Sequence, residues 1–284
     1  MSDESPALHL VGVPCVLCGG ESEPWIEKGG YRHLRCTDCG SAFLAPNEVP
    51  HDLGSLYGAD YFEGKEAHGY PTYLRDAPLS ERNFDRRLAW IEARQPPGRL
   101  LEVGCAYGLF LARAKQRGWD VAGVEIAEDC AREAAAACGG PVTTGDFLGA
   151  ELPPGFDVVV MLDVIEHMPD PVACVARSAE LLAPGGWLVL ETGNIASAWA
   201  RTLGRRWHFI DPPQHLVYFT RRSMAAMLRE NGFGRVEVRR LGREVSLANI
   251  AFKLFGRAAG PLLRMPGFLY VNLGDTQLVA AQRR

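Results

Sequence analysis

From residue 99 onward, short continuous apolar runs alternate with longer stretches in which apolar positions recur every three or four residues. RLLEVG, WDVAGVEI, FDVVVMLDV and WLVLET have the unbroken apolar character of strands buried on both faces. Between and after them, LFLARAKQRG, AEDCAREAAAACGG, DPVACVARSAELLAPGG and SMAAMLRENGF have the helical period, and each runs into glycine. GRVEVRRL and TQLVAAQRR close the chain as two further strands. The alternation predicts an α/β fold, a parallel sheet covered on both faces, with ligands beyond the carboxyl ends of its strands. Ahead of this region, residues 80 to 95 predict a helix capped by Ser80, with Phe84, Leu88 and Ile91 on one face and PPG as its stop. Residues 46 to 80 are loop-rich and carry Tyr57, Tyr61, Tyr70 and Tyr73, expected to form a lid or a packed linker. No internal repeat or low-complexity tract is visible.

Composition narrows the class. The 284 residues are 47% hydrophobic and 23% charged, an ordinary globular balance. No window approaches the roughly 18 apolar residues of a membrane span, and the first residues lack a secretory signal's basic and apolar regions. Cytoplasm is the expected compartment. Net charge is −4, so the whole chain carries no polyanion signal. The charge is uneven: residues 1 to 56 hold three Lys/Arg against eight Asp/Glu, and residues 201 to 264 hold thirteen against four. The basic part suits either a phosphorylated or acidic substrate or a plain solvated surface.

The eight cysteines divide into two sets. Cys105, Cys130, Cys138 and Cys174 are scattered among apolar residues and read as reduced core side chains. Cys15, Cys18, Cys36 and Cys39 form two C-x-x-C turns, each followed by glycine. Two such turns present four sulfurs to one ion, the pattern of a structural Zn²⁺ site. Disulfides or a redox pair are the alternatives. A segment this short needs the metal for stability.

LLEVGCAYG is a strand that ends in a glycine turn and opens a helix. Gly104 and Gly108 are expected to let backbone approach a ligand, and the helix N-terminus offers N–H groups to a carboxylate or phosphate. About 20 residues on, Glu125 ends the next strand, the spacing of an acid that hydrogen-bonds ribose hydroxyls. The pair points to a nucleoside cofactor. The E-x-G-x-x-x-G pattern argues against a nicotinamide.

These motifs resemble the class I S-adenosylmethionine (SAM)-dependent methyltransferases, in the branch near ubiquinone-biosynthesis O-methyltransferases and sugar C-methyltransferases. EVGCAYG is similar to the family's first motif, with Ala106 in place of a middle glycine; GVEI, TGDF, FDVVVMLDVIEHMPDP and LLAPGGWLVLET follow in the family's order. The resemblance covers roughly residues 98 to 284. It implies a Rossmann-like doubly wound sheet of seven strands with the last antiparallel, and SAM as cofactor. It places Glu102, Gly104, Cys105, Ala106, Tyr107, Gly108, Glu125, Ile126 and Asp163 against that cofactor, with Asp146 near the adenine amine and Phe147 at the ring. The expected division is 1–50 zinc-ribbon-like module, 51–97 connector and lid, 98–284 methyltransferase domain. The ribbon, LYGADYF and PPQHLVYFT resemble bacterial methyltransferases of polysaccharides, deoxysugars and secondary metabolites.

A methyl transfer to a hydroxyl or carbon acid needs a base beside the sulfonium. His167 follows the fourth strand of the sheet, and His215 follows the fifth in DPPQHLVYFT. Both loops leave the sheet's carboxyl edge, and imidazole titrates near neutrality. His215 is expected to face the acceptor, with Tyr218 and Phe219 walling the pocket; pinning of the loop is the alternative. Asp163, Glu166 and His167 form D-x-x-E-H, similar to the E-x-x-E-H that ubiquinone-pathway relatives link to a divalent metal, so an ion on these three residues is a third reading.

Residues 245 to 270 interrupt the last hairpin, with Lys253 and Arg257 on one helical face. They suit an insertion that covers substrate, forms a dimer, or touches a membrane peripherally. The leading function is methyl transfer to a small-molecule or saccharide acceptor, a sugar, glycan precursor or secondary metabolite, O-methyl before C-methyl. An RNA methyltransferase gripping RNA by its ribbon is the second reading, and the acidic ribbon speaks against nucleic acid. A non-catalytic SAM-binding scaffold is the third.

Overall fold

The computed structural model describes residues 12–51, 77–240, 242–255, 260–262 and 265–284. The predicted strands and helices form in the predicted order. The main sheet consists of β4 (Arg99–Val103), β5 (Asp120–Glu125), β6 (Val142–Thr144), β7 (Phe156–Leu162), β8 (Leu182–Gly193), β10 (Phe233–Arg239) and β13 (Thr276–Arg283). Its spatial order is β6-β5-β4-β7-β8-β13-β10. Pairing is parallel from β6 through β8, with Leu101 opposite Ala122 and Val159. The last strand, β13, runs antiparallel to both neighbours, Val279 facing Leu190 and Val238.

Side chains that alternate along each strand fill two separate layers. Leu101, Val159, Leu188 and Val279 point to one face, under α4 (Pro171–Leu181) and α6 (Arg221–Glu230). Leu100, Val158, Val189 and Leu278 point to the other, under α1 (Ala77–Glu92), α2 (Leu109–Gln116) and α3 (Glu128–Cys138). Leu88 and Ile91 are buried there, and Phe84 meets Phe110 edge-on at 5.4 Å, so the expected helical face forms. Its boundary differs: the helix starts at Ala77, which puts Ser80 inside the first turn rather than at the cap. Helix α6 also starts earlier than the apolar period suggests, because Thr220 and Ser223 form a reciprocal capping box ahead of Met224.

The N-terminal segment folds as β1 (Ser22–Lys28), β2 (Tyr31–Cys36) and β3 (Ala42–Leu44), and this small sheet is completed by β9 (Val217–Tyr218), far along the chain. Its apolar side joins the core: Leu34, Phe43 and Leu44 pack in the same layer as Phe219 and Met224. The helix α5 (Ala198–Leu203) and Trp207, Phe209 and Ile210 fill the seam between the two sheets. The interruption after β10 contains β11 (Arg243–Ser246), α7 (Leu247–Phe255) and β12 (Phe268–Val271), β11 pairing antiparallel with β12. The tyrosine-rich lid and the Lys253/Arg257 face lie outside the residues whose side chains are described.

Candidate functional site

At the carboxyl edge of β4 the chain turns sharply. Gly104 has φ +68, Ala106 φ +47 and Gly108 φ +70. The turn is held from β5: the Glu125 carboxylate accepts hydrogen bonds from the Ala106 N–H (2.8 Å) and the Ala127 N–H (3.0 Å). Burial nevertheless raises the Glu125 pKa above the usual carboxylate range, more than those N–H groups lower it. Burial also pushes Glu102 well up, and the neighbouring Glu125 charge adds to the effect; one Glu102 oxygen is buried without a partner. Burial and the nearby like charge both favour the protonated form of Glu102.

The glycines differ in purpose. A Cβ on Gly104 would meet the Val164 side chain at 2.8 Å, which brings the turn against the loop after β7. A Cβ on Gly108 would meet the Ala134 backbone at 2.8 Å. Gly108 thus makes room for helix α3, the close helix approach that glycine alone permits. Cys105 and Tyr107 are buried, and burial pushes the Cys105 thiol up. Ile126 is 39% exposed directly after Glu125, an apolar side chain offered at the cradle's rim. Asp146 is exposed and accepts from the Leu148 and Gly149 N–H groups (3.1 and 3.3 Å), whereas Phe147 is buried in the core.

Two loops converge beside this cradle. Ile165–His167 forms a 3₁₀ turn after β7. The His215 loop lies on it, the Leu216 N–H donating to the Glu166 carbonyl (2.8 Å) and the His167 Nδ1–H to the Gln214 carbonyl (2.9 Å). His215 Nδ1–H donates to the Phe209 carbonyl (2.6 Å). The two imidazoles meet edge-to-face, centroids 4.6 Å apart. His167 keeps an exposed edge but is enclosed by protein, and burial lowers its pKa to about 4, so it is neutral at physiological pH. Beneath them Glu166 is buried; burial, then the Asp163 charge, raises its pKa well above the usual range. Its oxygens make no well-formed hydrogen bond, and Thr192 gives only weak support.

Ligand atoms of Glu166, His167 and His215 lie within 4.8 Å of one another. The expected trio was Asp163, Glu166 and His167. Asp163, at φ +53, instead directs its carboxylate to Arg243 (3.3 Å), and His215 takes the third place. A second correction concerns the pocket walls. Phe219 belongs to the core, and the Tyr218 hydroxyl donates back to the His215 carbonyl (2.9 Å), so both support the loop from behind. Alternation puts the two on opposite faces, Tyr218 beside Trp207 and Ile210 and Phe219 in the main core, and both are buried.

Sequence reasoning did not find the pair under the site. Arg87 of α1 and Glu191 of β8 form a buried bidentate ion pair, 2.5 Å at each contact. Burial pushes the Glu191 carboxyl up, but Arg87 and then Arg243 pull it below its usual range. The available signal was Glu191 itself, an acid inside an apolar strand, which demands a cationic partner.

The four N-terminal thiols gather as their spacing predicts, all within 4.8 Å. Cys15 and Cys39 sulfurs are 3.8 Å apart, Cys18 and Cys36 3.6 Å. These match the edge of a tetrahedron with metal–sulfur bonds of ~2.3 Å and are far beyond a disulfide bond. Leu17 and Cys39 N–H groups point at Cys15 and Cys36 sulfurs. The other four cysteines are buried free thiols, as expected.

A family model described as a methyltransferase domain matches residues 73–238, more than half of the chain. The chain belongs to this family of class I SAM-dependent methyltransferases. Among curated proteins, the methyltransferase is 36% identical over 121 residues to the ubiquinone biosynthesis O-methyltransferase of Leptothrix cholodnii, covering 38% of this chain and 51% of that protein. It is 32% identical over 126 residues to the one from Thiobacillus denitrificans, covering 41% and 54%. The chain thus spans about half the length of the curated relatives it matches. Among solved structures, a SAM-dependent methyltransferase from Thermotoga maritima superposes with a TM-score of 0.54 at 18% identity, covering 78% of this chain and 98% of that one. One from Archaeoglobus fulgidus gives 0.53 at 19%, covering 74% and 99%. These likenesses concern the fold. No helix among the described residues is long and apolar enough to cross a membrane.

Proposed function

We propose that this methyltransferase transfers the SAM methyl group to a hydroxyl of a small molecule, a sugar, glycan precursor or secondary metabolite, with C-methylation of a keto-sugar next, and that His215 accepts the acceptor's proton. The supporting observation is the meeting of His167 and His215 from separate loops at the sheet's carboxyl edge, beside the β4 turn. Glu125 and Ile126 are assigned to the ribose and the adenine rim, Glu102, Gly104, Cys105, Ala106, Tyr107 and Asp163 to the sulfonium end, and Asp146 and Phe147 to the adenine side. Gly108 is assigned to the cofactor turn as well, and it also seats helix α3. With the methyl donor electrophilic on its own, the protein's task is alignment and proton removal. His215 Nδ1–H is committed to the Phe209 carbonyl, which makes Nε2 the lone-pair nitrogen. The curated relatives' names favour oxygen as the acceptor atom.

The residue ranges 1–50, 51–97 and 98–284 are proposed as anchoring module, cover and catalytic body. In the module Cys15, Cys18, Cys36 and Cys39 would hold a structural Zn²⁺, a fit supported by their sulfur separations. An RNA acceptor is disfavoured by the acidic module, and a scaffold role by the site's two imidazoles.

His215→Ala tests the assignment. Turnover should be lost while the calorimetric SAM affinity stays unchanged; full activity rejects it. A second reading has its own support, the three ligand atoms of Glu166, His167 and His215 within 4.8 Å. If they hold a divalent ion, purified protein dialysed against Mg²⁺, Mn²⁺ or Zn²⁺ retains one more equivalent than the His215→Ala variant. Equal retention discards that reading.

A further inference from the structure

We propose that the four-cysteine module sets the position of the His215 backbone, and that Tyr218 is the positioning residue through which it does so. The proposal rests on the reading of His215 as proton acceptor. A ribbon that only recognised substrate would be joined to the body by a linker. Here its last strand is built into the loop that carries His215: Ala42 pairs with Tyr218, Phe43 with Val217, and the Leu44 N–H donates to the Leu216 carbonyl (2.8 Å).

Side chains define the direction of the connection. The His215 carbonyl can only accept, so the Tyr218 hydroxyl gives it its proton (2.9 Å). That hydroxyl then accepts from His33 Nε2–H at 3.2 Å. His33 is buried on β2, three residues before Cys36, and burial lowers its pKa, which keeps the ring neutral. The far end of the loop is tied to the second cysteine knuckle. The Thr220 hydroxyl donates to the Cys39 carbonyl (3.1 Å), and Ser41 Oγ–H to Ser223 Oγ (2.7 Å). Thr220 is also the cap of α6. The Thr220 end of Leu216–Thr220 is therefore fastened to the turn that carries Cys36 and Cys39, and the Leu216 end to β3 at Leu44. Ring orientation comes from the body, through the Phe209 carbonyl, and backbone position from the module. A displacement of about 1 Å in such a group is enough to cost a hundredfold in rate.

The test uses full-length Tyr218→Phe, which deletes one oxygen from a buried ring. Expected are a fall in kcat of about ten- to a hundredfold, an unchanged SAM affinity, and faster amide hydrogen exchange across Leu216–Thr220. In a His215→Ala background the substitution should cost nothing more, since the two residues act as one unit. His33→Gln, whose amide can donate to the hydroxyl, should keep wild-type kcat, and His33→Leu should behave like Tyr218→Phe. Stripping metal with a chelator should speed exchange at Leu216–Thr220 while the sheet core, Leu101 and Val159, stays protected. Wild-type kcat or unchanged exchange in Tyr218→Phe overturns the proposal, as does an equal further loss on top of His215→Ala. If His215→Ala is itself active, the base assignment fails, while the exchange measurements still decide whether the module anchors the loop.

Discussion

Ala106 stands at φ +47, where the family pattern has glycine. An L-residue in that region is disfavoured by about 1–2 kcal/mol, so Ala106→Gly should leave SAM affinity intact and raise stability by up to about 1 kcal/mol, the new glycine's unfolded-state entropy offsetting part of the gain. Gly108→Ala is the opposite case. It adds left-handed strain and a Cβ 2.8 Å from the Ala134 backbone, an overpacking that no rotamer relieves. It should destabilise by about 2–5 kcal/mol, read as a lowered Tm. Equal Tm values for the two variants would refute the distinct roles given to these neighbours. Two buried groups set pH windows of opposite sign. Glu102 has a raised pKa when folded, so the native state holds its proton longer and stability falls as pH rises above the ordinary carboxyl range of about 4.5. Glu102→Gln should therefore gain on the wild type with rising pH, by about 1–3 kcal/mol near pH 8. His167 is lowered to about 4, so its contribution is complete above about 6.5 and is lost as pH falls toward 4. Chemical denaturation of wild type, Glu102→Gln and His167→Gln across pH 4–8 separates the two.

At the level of elements, helix α1 is fastened to β8 through Arg87 and Glu191, with Arg86 and Arg82 pairing Glu244 at the rim. Breaking one partner of the buried pair leaves an uncompensated charge. Arg87→Met should cost about 3–5 kcal/mol, and Arg87→Met with Glu191→Leu should recover most of it. Additive losses in thermal melts would mean the pair is not the fastening. The same element shows where sequence reasoning holds and where it stops. The apolar face of Phe84, Leu88 and Ile91 was legible because burial imposes its own period. Arg87 was not, because on a helix surface a buried arginine and a solvated one have the same letter and spacing. Six of the main sheet's strands were legible in chain order in the same way, from unbroken apolar runs and glycine exits; the three-residue β6 was not, and the antiparallel last strand came from the family resemblance. Strand β9 was not legible either: two residues have no period, and Val217–Tyr218 becomes a strand only because Ala42 and Phe43 lie beside it. The candidate site divides likewise. Glu125 and the cysteines follow from spacing, whereas the replacement of Asp163 by His215 in the acid–imidazole group depends on a contact between loops 47 residues apart.

The molecule as a whole behaves as one body with a metal-type knuckle at its edge. Leu34, Phe43 and Leu44 of the N-terminal sheet lie in the same apolar layer as Phe219, Met224, Leu188 and Val279 of the main sheet. A module that shares its core with its neighbour cannot unfold alone without exposing the neighbour's apolar face to water, which costs roughly 25 cal/mol for each Å². Calorimetry of the full chain should accordingly give a single cooperative transition, with a calorimetric enthalpy equal to the van't Hoff value. Deleting residues 1–50 should uncover Leu216, Val217, Tyr218 and Phe219 together and leave a species that binds a hydrophobic dye and lacks a sharp melt. A truncated chain that melts at the wild-type temperature and binds SAM normally would show that the shared layer contributes no cohesion. The coupling also bears on chemistry. The N-terminal sheet pairs with the strand that follows His215, so any treatment that loosens the knuckle should reach the His215 loop before it reaches the glycine turn after β4. Partial metal removal should then lower kcat at concentrations of chelator that leave SAM affinity unchanged, and simultaneous loss of both would place the module's influence on the cradle instead.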